Sequence, residues 1–282
     1  MLCVDNLSSG SESNVAELMP DGRFKFVNHD IANFVCTDDI SAIFNLACPA
    51  SPVQYQKDPV ATTRTAVLGT MNMLETARRN NCPMLQASTS EVYGDPHVHT
   101  QTEDYWGNVN PVGVRSCYDE GKRCAESLCM DYHQQYGVKV KVIRIFNTYG
   151  PRMAFNDGRV VSNFIAQSLN GEPITVYGDG AQTRSFMYVD DLIDAMFRVM
   201  RTFTGPVNIG NPCETSVLSL ARKIVSMTGS RSEIILRDLP LDDPQRRRPD
   251  ISLAIRTLGG WQPIVPLEVG LQKTIEYMKL NK

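Results

Sequence analysis

The sequence predicts an α/β protein: a doubly wound parallel sheet over residues 1–150, followed by a smaller α+β lobe over 151–282. Three observations carry this. Short apolar runs alternate with helix-length amphipathic segments through the first half, the pattern of a parallel sheet with helices on both faces. Several of those runs end in acidic or hydroxyl residues, at Asp5, at Asp30 and at 88–91, and sheets of this kind gather ligands at the carboxyl ends of their strands. After Gly150-Pro151 the alternation changes and the segments shorten.

Taken in order, Leu2-Cys3-Val4 reads as a strand tipped by Asp5 and closed by a Ser/Gly turn. Phe24-Lys25-Phe26-Val27 is a second strand, ending at His29-Asp30, and 42–47 (AIFNLA) is a buried third. Residues 59–80 form a helix, with Pro59 suited to its first turn and apolar residues recurring near helical spacing. A strand over 84–87 runs into STSEVYGDP. A long helix over 118–136 stops at Gly137, and VKVKVIRIF (138–146) is the next strand. The second half reads as a helix near 160–169, a strand over 174–177, and a helix over 189–200 capped by Asp190 and Asp191. A strand over 207–209, helices over 216–228 and 267–279, and a polar, Pro-bounded loop at DDPQRRRPD (242–250) complete it.

Composition sets limits on function. With 42% hydrophobic and 21% charged residues the chain has ordinary globular make-up. A net charge of −3 gives no electrostatic case for nucleic acid or an anionic membrane as the main partner. No apolar run reaches the roughly 18 residues of a membrane span. The eight cysteines form no CxxC pair and no zinc spacing, so no metal is expected, and they read as reduced core thiols of a cytoplasmic protein.

The chemistry is concentrated around Tyr118-Asp119-Glu120-Gly121-Lys122. Tyr118 and Lys122 stand four apart on a helix and share a face. A lysine cation there stabilises phenolate over phenol and lowers the tyrosine pKa from its usual value of about 10, which makes a base for a sugar hydroxyl. The spacing alone recurs by chance. Its context strengthens it: some 30 residues upstream a strand ends at Ala87-Ser88-Thr89-Ser90-Glu91. Thr89 there is placed to hydrogen-bond a substrate oxygen, and Glu91 to act as acid, base or electrostatic director.

Together STSEVYGDP, CYDEGKR, RIFNTYGPRM, GRVVSNFI, VYGDGAQTRSFMYVDDL and GGWQPIVPLEVGL resemble the extended short-chain dehydrogenase/reductase family that acts on nucleotide sugars, over essentially the whole chain. The resemblance implies a Rossmann-like NAD-binding domain over 1–150, a UDP-sugar-binding lobe over 151–282, and a homodimer built through the two long helices. It implies a catalytic group of Thr89, Tyr118 and Lys122, with Glu91 added. Asp5 and Asn6 match the adenosine-ribose end of an NAD site, Asp30 and Ile31 the adenine pocket, and Leu46 and Ala47 the strand edge beside the cofactor. Asn147, Arg184 and Arg247 match positions that face the UDP-sugar, where guanidinium forks suit a diphosphate and a carboxylate. Arg246 and Arg248 are read as surface residues.

Within the family, 4,6-dehydratases carry Asp-Glu after the threonine, and 4-epimerases usually lack the Glu. Ser90-Glu91 therefore resembles the branch that oxidises UDP-glucuronate at C4, loses carbon dioxide and reduces the ketone to UDP-xylose. Arg184 is expected to hold the carboxylate or a nearby oxygen, and Glu91 to orient it or take part in protonation. Sister epimerase or dehydratase activity and an inactive, truncated homologue that binds UDP-sugar or a partner chain are the alternatives.

Three features depart from the family. Asp5 is preceded by four residues only, whereas an acidic strand tip of this type follows a glycine-rich phosphate loop by about 20 residues. The expectation is that Met1 is internal to a longer protein, with an upstream anchor or targeting segment left open. Ala66 stands where the family usually has Asn near the proton relay. Gly259-Gly260 before Trp261 adds one residue to a usual Leu-Gly-Trp.

Overall fold

The computed structural model describes residues 1–239 and 246–282. β1 (Leu2–Asp5) and β2 (Lys25–Asn28) form a parallel pair. β3 (Ile43–Asn45) leads through a single turn, α1 (Pro52–Tyr55), into α2 (Pro59–Arg64), whose start is fixed by Pro59 and by Asp58 accepting the Ala61 N–H at 3.0 Å. α2 passes through a π-helical turn (Thr65–Gly69) into α3 (Thr70–Asn80), which ends on Asn81 at φ 49°. β4 (Met84–Thr89), α4 (Ser116–Tyr136) and β5 (Val140–Ile145) follow, with Gly137 at φ 70° closing α4.

The second half runs β6 (Thr148–Tyr149), α5 (Val160–Asn170), β7 (Ile174–Tyr177), β8 (Thr183–Ser185), β9 (Met187–Tyr188) and α6 (Val189–Thr202). It continues with β10 (Val207–Ile209), β11 (Glu214–Ser216), α7 (Val217–Thr228), β12 (Ile234–Arg237), β13 (Arg246–Arg247), α8 (Ser252–Thr257) and α9 (Leu267–Leu280).

The main sheet is parallel, in the order β10-β5-β4-β3. β4 is central and all six of its residues are buried, as expected of a strand covered on both faces. Ile43, Met84, Val140 and Val142 pack under Leu74 of α3 and Cys129 of α4. Leu85, Ile143, Val207 and Ile209 pack with Leu192 and Met196 of α6 and with Trp261. Each such side chain contributes about 1.5–3 kcal/mol by leaving water. A separate core, built on Phe164, Ile165, Ile174, Leu220 and Leu271, joins α5, α7, α9 and β7. The final strand of the main sheet comes from residues 207–209, so the second half of the chain returns to complete the first.

The structure corrects several expectations. The segment at 42–47 is not buried throughout: Ile43 and Asn45 are, but Phe44 and Leu46 are 39% and 52% exposed, because β3 is the sheet edge and shares no hydrogen bonds with β1 or β2. Asp190 and Asp191 do not cap α6. Its N-cap is Tyr188 with no side-chain bond, and Asp191 instead accepts the Ile264 and Val265 N–H groups at 3.2 and 3.1 Å. The 59–80 helix carries a π turn, at which Ala66 faces Gly121 of α4; a Cβ on that glycine would lie 2.9 Å from the Ala66 Cβ. Within 242–250, residues 242–245 lie outside the described residues, while Arg246–Arg247 pair with β8. All eight cysteines are free, but Cys124 and Cys213 are exposed and not core thiols.

Candidate active site

The parallel strands deliver their carboxyl ends to one rim, and the rim carries nearly every residue singled out above. A cleft of about 690 Å³ is lined there by Thr89, Ser90 and Glu91 after β4, Tyr118 and Lys122 from α4, and Asn147 after β5. Arg184 and Arg247 line the same cleft from the second lobe. They occupy registered positions on the paired strands β8 and β13, and side chains at such positions project from the same face. Arg184 also donates to the Thr183 carbonyl at 2.9 Å, and the Asn147 carbonyl accepts the Met187 N–H at 2.9 Å.

Thr89, Tyr118 and Lys122 are all buried. The Thr89 hydroxyl accepts the Glu91 N–H at 3.2 Å and caps the short turn Ser90–Tyr93. The same hydroxyl favours the ionised form of Tyr118. Lys122 Nζ donates to the Ala87 carbonyl at 2.9 Å and lies 5.8 Å from the centre of the Tyr118 ring. The expected lowering of the Tyr118 pKa is reversed in this structure. Burial pushes it up, the Cys48 sulfur adds to that, and the Thr89 hydrogen bond offsets only part. The physical reason is that the phenol is buried, which penalises its ionised form, while Lys122 Nζ is engaged by the Ala87 carbonyl.

Glu91 is clasped from two sides. Arg115 donates to its Oε2 at 2.6 Å, and Arg247 donates to its Oε1. Arg247 also reaches the Gly94 carbonyl at 3.0 Å. Burial pushes the Glu91 carboxyl up, yet the guanidiniums of Arg247 and Arg115 outweigh it and hold the carboxyl at about 2. Glu91 is therefore a fixed anion near neutral pH, which removes the protonation role expected for it in this arrangement. Of the two arginines flanking Arg247, Arg248 is 3.8 Å from Glu214 and partly exposed, as a surface residue would be, and the side chain of Arg246 lies outside the described residues.

Four residues of this cleft escaped sequence reasoning. Tyr55 of α1 lies flat on Tyr118, with ring centres 5.0 Å apart and planes within 2°. Cys48 lines the cleft beside Tyr118. Arg159, bound to Asp157 at 2.5 and 2.9 Å, also lines it. Arg115 carried the one usable signal, standing three residues before Tyr118 at the start of the same helix. Ala66 does not line the cleft and is buried against α4.

A second depression of about 150 Å³ adjoins the cleft, and Leu46 and Cys48 line both. Asp5, Asn6, Asp30, Ile31 and Ala47 line it as well. The acidic tips are ordered locally. Asp5 Oδ1 accepts the Leu7 N–H at 2.7 Å, Asn6 Oδ1 the Ser8 N–H at 3.0 Å, and Asp30 Oδ1 the Ala32 N–H at 2.8 Å. Each aspartate keeps a second oxygen for a ligand. Two carboxylates at neighbouring strand tips, above the apolar wall of Ile31 and Leu46, fit a ribose diol and an adenine ring.

The NAD dependent epimerase/dehydratase family model matches residues 1–210. UDP-glucuronic acid decarboxylase 1 of Xenopus tropicalis is 52% identical over 98% of this chain, and the chain spans 65% of that protein's length. UDP-glucuronic acid decarboxylase 3 of Arabidopsis thaliana is 50% identical over the whole chain and 82% of its own. Among solved structures, UDP-glucuronic acid 4-epimerase of Bacillus cereus, in complex with UDP-glucuronic acid and NAD, superposes with a TM-score of 0.89 at 27% identity. That match covers 100% of this chain and 91% of the other.

Proposed function

The chain belongs to the NAD dependent epimerase/dehydratase family, and from that premise we propose that it decarboxylates UDP-glucuronate to UDP-xylose with NAD as cofactor. The observation that carries this reading is the pair Ser90-Glu91 at the end of β4, with Glu91 clasped by Arg115 and Arg247 beside Thr89 and Tyr118. Position 90 holds a hydroxyl, which cannot serve as the acid that would expel a 6-hydroxyl. Two guanidiniums at the same place suit a sugar that bears a carboxylate.

Residues 1–150 hold NAD, with Asp5 and Asn6 on the adenosine ribose, Asp30 and Ile31 at the adenine, Leu46 and Ala47 alongside, and Tyr118 and Lys122 at the reactive end. Bound there, NAD supplies a hydride acceptor at C4 and returns the hydride at the end of the cycle. Tyr118 takes the proton of the 4-hydroxyl, Thr89 hydrogen-bonds the same oxygen, and Lys122 favours the ionised phenol once it leaves the Ala87 carbonyl that holds it in this structure. The resulting ketone stands β to the carboxylate. The C5–carboxylate bond then breaks, its electron pair passes to the ketone oxygen, and C5 takes a proton. Arg184 and Arg247 in the 151–282 lobe, with Asn147 after β5, orient the substrate, and Glu91 fixes the guanidiniums by charge.

Two copies of the chain pair through the faces of α2–α3 and α4, a reading supported by the exposed Val60, Met71 and Tyr136. Among the described residues no helix is long and apolar enough to cross a membrane. The free thiols fit a reducing, cytoplasmic compartment.

The test is substrate choice with NAD present. UDP-glucuronate is consumed and UDP-glucose is left unchanged. Loss of water from UDP-glucose, or its inversion at C4, would move the chain to one of the sister activities.

A further inference from the structure

Asp119 is a buried ionisable group to which the proposed reaction gives no task. It lies in the first turn of α4, next to Tyr118, and is 6% exposed. Its N–H donates to the Arg115 carbonyl at 3.1 Å. Among the described residues no donor reaches its Oδ1, an atom closed off from solvent. An ionised carboxylate in that condition is costly, and a proton relieves the cost.

The charged and titratable groups that face it are Glu91 from the turn after β4, Arg247 from β13, Tyr55 from α1, and Arg115, Cys117 and Glu120 from around its own turn of α4. Burial first, then the charge of Glu91, push the Asp119 carboxyl up to about 7, against the pull of Arg115 and Arg247. Glu91 keeps its charge because both guanidiniums are bound to it directly. Of the two neighbouring carboxyls, Asp119 is the one that takes a proton.

The proton balance of the reaction gives this a use. Decarboxylation removes a carboxylate as neutral carbon dioxide and adds one proton to C5, so each turnover consumes a proton. The substrate brings a further carboxylate into the space beside Glu91, and added negative charge there favours a proton on the nearest protonatable acid. Resting on the decarboxylase reading, we propose that Asp119 is the charge-balancing acid of the site, taking a proton from solvent when a carboxylated sugar binds and returning it to solvent as the carboxylate leaves as carbon dioxide. Asp119 does not line the cleft, so it acts through the groups around Glu91 and is a positioning residue for the sugar, not one that touches it.

The experiment counts protons on binding, by calorimetry in buffers of different ionisation enthalpy. It uses the full chain loaded with NAD and carrying Tyr118→Phe, so that the sugar binds without turnover. UDP-glucuronate takes up about half a proton at pH 7, close to one at pH 8 and little at pH 5.5, as a group titrating near 7 requires. UDP-glucose, which has no carboxylate, takes up none. Adding Asp119→Asn abolishes the uptake, and Asp119→Glu restores it. In the otherwise unaltered enzyme Asp119→Asn lowers kcat about tenfold and flattens its pH profile between 6 and 8. Equal uptake for the two sugars, which needs no Asp119 variant to read, overturns the proposal, as does uptake that survives Asp119→Asn. Failure of the decarboxylase reading has a different signature: uptake is normal with UDP-glucuronate, while the Tyr118-bearing chain releases no carbon dioxide.

Discussion

The two ends of the candidate site are built differently. At the end proposed for adenosine, Asp5, Asn6 and Asp30 are held by hydrogen bonds to backbone groups two residues further on. At the chemical end, Glu91 is held by Arg115, 24 residues away, and by Arg247, 156 residues away. Local bonds order a side chain at small cost to the rest of the molecule. Long-range charge pairs tie the site to the fold, so a change there disturbs both. The end proposed for adenosine is therefore a surface that can be altered without unfolding the protein, whereas Glu91 ties the turn after β4 to the start of α4 and to β13.

Tyr118→Phe probes the contrast most sharply. The ring keeps its stack on Tyr55, so the fold survives while turnover falls by about 10²–10⁴, the range for a general base. Steady-state rates and a thermal melt read the two effects separately. A comparable loss of stability would mean that the phenol oxygen is structural.

Glu91→Ala comes next and strikes both properties. It leaves two partly buried guanidiniums facing a gap, which costs about 3 kcal/mol of stability, measurable by urea unfolding. The sign of the pH dependence follows from the same clasp. The folded-state pKa of Glu91, about 2, lies below its ordinary value of 4.5. Its stabilising contribution is thus present above pH 4.5 and is lost as the pH falls toward 2. The Ala variant has no such acid-side loss.

Asp5→Ala belongs to the other end. It weakens NAD binding about tenfold, equivalent to about 1.4 kcal/mol, read by NAD titration, and shifts the melting temperature little. A large fall in stability would erase the distinction between the two ends.

The smallest of these effects on stability is at Asp119. Its folded-state pKa, about 7, lies above its ordinary 3.8, so between those values the folded chain holds a proton that the unfolded chain lacks. Stability from this group falls as the pH rises from 4 to 7. Asp119→Asn removes that fall, so the melting temperature of the variant, relative to the unaltered chain, rises by a few °C between pH 5 and pH 8.

The same contrast explains what could be read from the sequence. Strand tips at Asp5 and Asp30 and the Tyr118–Lys122 spacing are local patterns, and each sits where the periodicity put it. Thr89 was legible because a strand visibly ends there. The clasp on Glu91 was not, since its partners come from a helix start and from a two-residue strand that looked like loop. The short strand β13 has no hydrophobic alternation to announce it and forms only because β8 offers it an edge. The Asp191 bonds to Ile264 and Val265 were hidden for the same reason, the helix start having suggested a cap. Tyr55 gave no signal at all, being an ordinary aromatic in a four-residue turn.

The central claim is that the clasped cleft breaks the C5–carboxylate bond of a uronate after oxidation at C4. The most direct measurement is nuclear magnetic resonance of UDP-glucuronate, carbon-labelled at C6, turned over in deuterium oxide with NAD. The account predicts that all the label leaves as carbon dioxide and bicarbonate, with one deuterium on C5 of UDP-xylose. Label retained in a nucleotide sugar inverted at C4 would contradict it.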